Sequence, residues 1–250
     1  MMGQKERILI TVRTYPTLSK KYVETVCTGG ITETGEWRRL YPVAQRYLEH
    51  NQQYRTFDVV EVEVRDGSDG RAETRRPHLP SLRIIRHVEK WAARCDWVNK
   101  TIHPSLAAMC TAGATLAPVA AREVLEFTAK PCAAHWTPKQ QEQLRQEQLF
   151  DDRHPLEKVP FEFRFRWRDG DGAEHDSLVL AWEFGETWRQ YRRKYADPIK
   201  VMREKWLTDL CGTKREVSFF MGNLARFRSV YAVCGVFGPP KEAQQNGTLW

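Results

Sequence analysis

The sequence predicts an α+β protein: a largely antiparallel curved sheet or small barrel, PUA/OB-like by analogy with its strand count and basicity, with a helical insert in the middle of the chain. Three observations predict it. Residues 1–65 and 158–238 carry strand-like alternation, residues 82–150 are patterned for helices, and the strand connections are short, which favours antiparallel pairing. At 250 residues, with 41% hydrophobic and 11% aromatic content, the chain can bury the core of one domain spanning 1–250. Residues 239–250, opening on Pro239-Pro240, read as a flexible tail.

In chain order, Arg7–Tyr15 and Tyr22–Gly29 read as strands. Thr34-Gly35-Glu36 turns the chain into Trp37–Tyr41, and Pro42 is expected to end that strand. Thr56–Arg65 alternates cleanly, with Val60, Val62 and Val64 on one face and Glu61 and Glu63 on the other. A polar loop follows at Asp66–Pro80.

Leu82–Val98 carries Ile85, Val88, Trp91, Ala92 and Cys95 at helical spacing. Pro104 and Pro118 fit the first turns of short helices, the second running through Val124-Leu125 to about Phe127. Thr137-Pro138-Lys139-Gln140 is a capping box opening a glutamine-rich helix to about Phe150.

Pro160–Phe184 reads as a long hairpin. Phe161, Phe163, Phe165 and Trp167 alternate with Glu162, Arg164, Arg166 and Arg168, Asp169-Gly170-Asp171-Gly172 turns, and Ser177–Trp182 returns. Its aromatic face needs a core, while its other face presents a row of guanidiniums. Glu186–Ala196 reads as a helix with Trp188, Tyr191 and Tyr195 in one stripe, and Pro198 starts another helix to about Leu210. Val217–Met221 and Ser229–Phe237 are the last strands.

Lys and Arg number 39 against 32 Asp and Glu, leaving +7, which favours a polyanionic partner. DNA or RNA is the expected partner, contacted by Lys20, Lys21, Arg38, Arg39, Tyr41, Arg164, Arg166, Arg168, Arg192 and Arg193. Trp37, Arg39 and Tyr41 share a strand face that could stack a base or be a structural sandwich. Three residues are candidates for chemistry. Cys27 is the covalent candidate, while Glu24 and Glu183 are the candidate proton handlers, Glu183 because it lies between Trp182 and Phe184. Simple alternation puts Glu24 and Cys27 on opposite faces unless a bulge intervenes.

Several classes are disfavoured. No Walker loop, GxGxxG after a strand, HExxH or zinc-deaminase signature occurs, and the six cysteines show no zinc-type spacing. No metal or cofactor is implied. No apolar run approaches membrane-spanning length, and Met1–Arg7 lacks a secretory apolar region, so a cytoplasmic location with no membrane partner is expected.

Pro16–Tyr22 running on through Glu24 to Cys27, Trp37–Pro42, and Phe219–Asn223 with Cys234–Pro240 together resemble an uncharacterised bacterial family associated with DNA-modification and phage-defence gene neighbourhoods. The resemblance implies action on DNA or RNA, one possibility being an enzyme converting a deazaguanine-type modified base, with protein partners from the same neighbourhood. It assigns no catalytic residue. Three readings follow: a nucleic-acid-directed protein that handles a base, an enzyme altering that base, or a non-enzymatic adaptor for an acidic protein.

Overall fold

The computed structural model describes residues 3–19, 23–67, 69–148, 157–224 and 227–245. Its first half is built on β1 (Gln4–Arg13), β2 (Thr17–Ser19), β3 (Val23–Thr32), β4 (Trp37–Val43), β5 (Asp58–Asp66), β6 (Thr74–Pro77) and β7 (Arg83–His87). The order β1-β3-β4-β6-β5 closes because β5 also pairs with β1, Gln4 facing Val64 and Leu9 facing Val59. The result is a small closed barrel, antiparallel except between β4 and β6. Alternation fills it: Ile8, Ile10, Leu40, Val60, Val62 and Val64 point inward around Tyr54.

The second half is a curled antiparallel sheet, ordered β10 (Glu174–Leu178), β9 (Phe161–Asp169), β8 (Leu116–Pro131), β11 (Val217–Asn223) and β12 (Tyr231–Phe237). Its edges approach one another where Leu180 N–H donates to the Val233 carbonyl at 2.8 Å. Helices α4 (Trp182–Tyr191) and α5 (Pro198–Arg203), with the π-helical turn Glu204–Asp209, seal the curl with Phe184, Trp188, Met202 and Trp206.

The halves meet across a third apolar layer of Leu9, Val12, Ile31, Phe57, Leu116, Phe220 and Phe237. Gly29 permits this approach, and Gly30 permits the close contact of β3 with β1 inside the barrel. A Cβ on Gly29 would lie 2.5 Å from Leu116 Cδ2, and one on Gly30 would lie 2.3 Å from the Leu9 carbonyl oxygen, so β3 is pared down on both faces.

The middle of the chain differs most from expectation. Residues 82–150 are not a helical insert, and the sheet core is not confined to 1–65 and 158–238. Arg83–His87 is a strand on β5, with Ile85 exposed, and helix α1 covers only Trp91–Val98. Helix α2 is Leu106–Thr111 and α3 is Pro138–Gln148. Pro118–Phe127 lies within β8, the strand joining both sides of the second sheet. Its Ala, Arg, Glu and Leu content favours helix locally, but backbone pairing to β9 and β11 and burial of Val119 and Phe127 decide otherwise.

Smaller corrections follow the same logic. Pro42 does not end β4, because a register shift opposite Val26/Thr28 lets Val43 pair with Val26. Trp182 opens α4 rather than closing the hairpin, and that helix ends at Tyr191, leaving Tyr195 exposed. Residues 239–245 are anchored: Glu216 N–H donates to the Pro239 carbonyl, Lys241 N–H to the Lys214 carbonyl, and α6 spans Lys241–Gln245. Residues 246–250 of the expected tail, and residues 149–150 at the expected end of the glutamine-rich helix, lie outside the described residues. The capping box forms as expected, Gln140 Oε1 accepting from Thr137 N–H at 3.0 Å.

The hairpin turn is organised by Asp169. Its carboxylate accepts from the backbone N–H groups of Leu106, Asp171 and Ala173 and bonds His175 Nε2 at 2.8 Å. Burial disfavours its charge, but His175 and the amides of Leu106 and Ala173 outweigh burial and hold its pKa below the ordinary carboxylate value. A carboxylate depressed in the folded state adds stability above the unfolded-state pKa and loses it as pH falls through the folded value. Asp169→Asn should therefore lower the urea midpoint at pH 7 and shrink its drop on acidification. An unchanged acid limb refutes this role.

Candidate functional site

Arg39, 2% exposed, lies between the barrel and the second sheet. β4 points it at the junction, away from Leu40, which faces the barrel interior. Its Nη1 donates to Cys27 Sγ at 3.1 Å; Nε and Nη2 donate to Glu73 Oε1 at 3.3 and 3.2 Å; Nη2 also donates to the Thr115 carbonyl at 2.9 Å. Thr115 Oγ1 donates to the same Glu73 oxygen. Burial works against the Arg39 charge, but Cys27 and Glu73 outweigh it and hold its pKa above the ordinary arginine value.

Cys27 is half-buried on β3, and its backbone is clamped to Thr14: Cys27 N–H donates to Thr14 Oγ1 at 3.0 Å, and Thr14 N–H donates to the Cys27 carbonyl. Cys234 is fully buried nearby, its thiol pushed up to about 12 chiefly by burial and next by Cys27. Gly222 sits against both groups: a Cβ there would lie 2.9 Å from Cys234 Sγ and 3.8 Å from Arg39 Nη1. Asn223 donates to the Arg228 carbonyl and accepts from Arg71 at 3.4 Å. The stretches around Cys27, Trp37–Pro42, Phe219–Asn223 and Cys234 therefore converge on one guanidinium.

The two glutamates each sit with their own arginine. Glu24 is 1% exposed and pairs with Arg46 at 3.5 Å. Glu183, in the first turn of α4, accepts from Arg13 Nη2 at 3.3 Å and Thr56 Oγ1 at 2.5 Å. Arg13 also donates to the Tyr54 carbonyl, and Tyr54 Oη bonds Thr28 Oγ1 beside Cys27. Glu183 is thus a link between the halves rather than a carboxyl isolated among aromatic rings.

The expected basic face changes character. Phe163, Phe165 and Trp167 are buried and Phe161 half-buried, as alternation requires. Arg164 pairs with Asp176 and Glu162, Arg166 lies 3.8 Å from Glu126 and Glu174, and Arg168 pairs with Glu123 and Glu174. Carboxylates from β8 and β10 neutralise the row, so it is not the free positive surface expected. Arg38 and Arg39 are corrected as nucleic-acid contacts too: Arg38 is buried against Glu6 and Glu36, and Arg39 against Glu73. Tyr41 is half-buried; Arg192 pairs with Glu157 at 2.6 Å and covers Trp188, while Arg193 is exposed. Lys20 and Lys21 lie outside the described residues.

Sequence reasoning missed Glu73 and Thr115, which lie in connections with no motif, and Arg13, which a strand hides among apolar neighbours. Among the described residues no group of three or more His, Cys, Asp or Glu side chains could hold a metal ion. No helix among them is long and apolar enough to cross a membrane.

Barrel, curled sheet and the buried guanidinium–thiol–carboxylate junction define a class of two-part α+β protein. The chain belongs to the family described as Domain of unknown function (DUF8757), which matches residues 100–249. Residues 4–100 match the family described as Domain of unknown function (DUF8758). The two matches meet between α1 and α2, so one covers the barrel and the other the curled sheet. A search of curated proteins found no match.

Proposed function

We propose that this protein acts on DNA or RNA and alters a base there, with Cys27 as its reactive group. The observation that carries the reading is the Arg39 contact to a half-buried sulfur. A guanidinium donor is complementary to an anionic sulfur, the nucleophilic form of cysteine. Cys234 has no such role, since its thiol is sealed and pushed up to about 12. In this reading Sγ of Cys27 bonds to an electrophilic carbon of the base, and the displaced π pair takes a proton from water at the neighbouring ring atom. The resulting hydroxide displaces the sulfur, so the base gains one water and the thiolate is regenerated. Glu73 keeps Arg39 aimed at the sulfur. The surplus of cations supports a nucleic-acid target. A setting in bacterial DNA modification or phage defence, in the cytoplasm, belongs to the same proposal.

Two measurements test it. Iodoacetamide at neutral pH should alkylate Cys27 faster than the exposed Cys110 and Cys132, and Arg39→Lys should keep part of that preference while Arg39→Gln loses it. Plain and modified DNA and RNA incubated with the protein should yield a nucleoside of altered mass, absent with Cys27→Ala. Undiminished turnover in Cys27→Ala leaves the thiol no role, and absence of any nucleic-acid retention shifts the weight to the adaptor for an acidic protein.

A further inference from the structure

With the hairpin arginines neutralised, the surplus positive charge must lie elsewhere. β8 carries a bulge between Ala121 and Glu123, where its ladder to β11 ends at Ala121–Val217. Arg122 is the extra residue, projecting without a cross-strand partner. Two adjoining cavities of about 380 and 440 Å³ open there, sharing Ala121, Arg122, Arg215, Val217 and Lys241 in their walls.

Among the described residues the cations of this groove are paired with no carboxylate. Arg122 and Lys241 are exposed and have no ion pair or side-chain hydrogen bond among the described residues, and neither has the adjacent Lys214. Arg215 is held rather than neutralised: it donates to the Gly238 carbonyl at 3.1 Å and lies 5.9 Å from the Trp91 ring. Of the carboxylates in the walls, Glu123 is turned away onto Arg168 at 2.8 Å, leaving Glu216 facing the groove. Between the cations the walls are apolar, from Ala121, Val217, Ile102 and Leu207.

We infer that this groove is a binding site for single-stranded nucleic acid, with Arg122, Arg215 and Lys241 on successive phosphates and sugar or base against the apolar walls. The inference rests on the nucleic-acid reading above and gives it a location. A duplex offers its phosphates on a convex rod and suits a flat basic face; a concave groove with apolar walls suits an unpaired strand. The hairpin arginines, already paired with carboxylates, are spectators.

Fluorescence anisotropy with a labelled thymidine 12-mer and a duplex of equal length tests the site. The wild-type protein should bind the strand more tightly than the duplex. Arg122→Glu/Lys241→Glu should weaken strand binding at least tenfold and reduce the slope of log affinity against log salt by about 1.4, roughly 0.7 per lost single-strand phosphate contact. Arg164→Ala/Arg166→Ala should change neither. Both reversed residues are exposed, and an unchanged melting temperature verifies folding. Full strand affinity in the reversed variant overturns the groove while leaving nucleic-acid binding in place. Equal or tighter duplex binding overturns the single-strand assignment. Failure of the wild type to bind either probe overturns the groove and the nucleic-acid reading together.

Discussion

Arg39→Met is expected to cost about 3–5 kcal/mol of folding stability, because it removes the buried partner of an ion pair and leaves Glu73, itself part-buried, uncompensated. Glu73 accepts from Arg39 Nε and Nη2 at 3.3 and 3.2 Å and keeps the Thr115 hydroxyl as its other donor. Methionine fills similar space but gives Glu73, Cys27 and the Thr115 carbonyl no donor. Adding Glu73→Gln should restore a substantial part of the loss, since the orphaned charge is then gone. Urea denaturation of the single and double variants measures the coupling. A cost under about 1 kcal/mol for Arg39→Met, or strictly additive variants, would show that the junction tolerates an empty guanidinium site. The sulfur offers a second readout: alkylation of Cys27 should slow in Arg39→Met even in conditions where the protein remains folded.

Phe184→Ala should destabilise by a similar amount, about 3–5 kcal/mol, as expected for an aromatic truncation in a core that collapses poorly. The ring is 1% exposed and stacks on Trp206 with centroids 3.9 Å apart and planes at 19°. Phe127, Phe163 and Phe165 surround it at 5.8, 6.1 and 5.7 Å. These residues come from β8, β9, α4 and the π-helical turn, so no single neighbour can move in to fill the void. For a chain of this size the melting temperature should fall by about 10 °C. Phe184→Leu should cost clearly less. Because Glu183 precedes Phe184 on the first turn of α4, truncation should also loosen the Arg13–Glu183 link between the halves. A melting temperature within about 2 °C of wild type would contradict this packing.

Much of the strand pattern was legible because alternation is a local property. Val60, Val62 and Val64 point into the barrel and Phe163, Phe165 and Trp167 into the curled sheet for the reason visible in their spacing. Thr137 and Gln140 cap their helix for an equally local reason. Pro118–Phe127 was illegible by the same standard. Its residues favour helix over a few turns, and only pairing with β9 and β11, both more than 30 residues distant, makes it strand.

The candidate site divides in the same way. Cys27 and the arginine pair Arg38-Arg39 stood out as residue types, and strand periodicity separated Arg39 from Leu40. That Arg39 meets Cys27, Glu73 and Thr115 is a fact of closure, since those residues belong to four separate segments brought together by the barrel and its contact with β8. Charge shows the limit most clearly. The alternating arginines of Phe161–Asp169 were plain in the chain, but their neutralisation depends on Glu123, Glu126, Glu174 and Asp176, which cross-strand register sets opposite them. Covalent order dictates which side chains share a face, because backbone geometry repeats locally. Which charges remain free depends on what long-range pairing places within a few ångströms, and only the folded chain decides that.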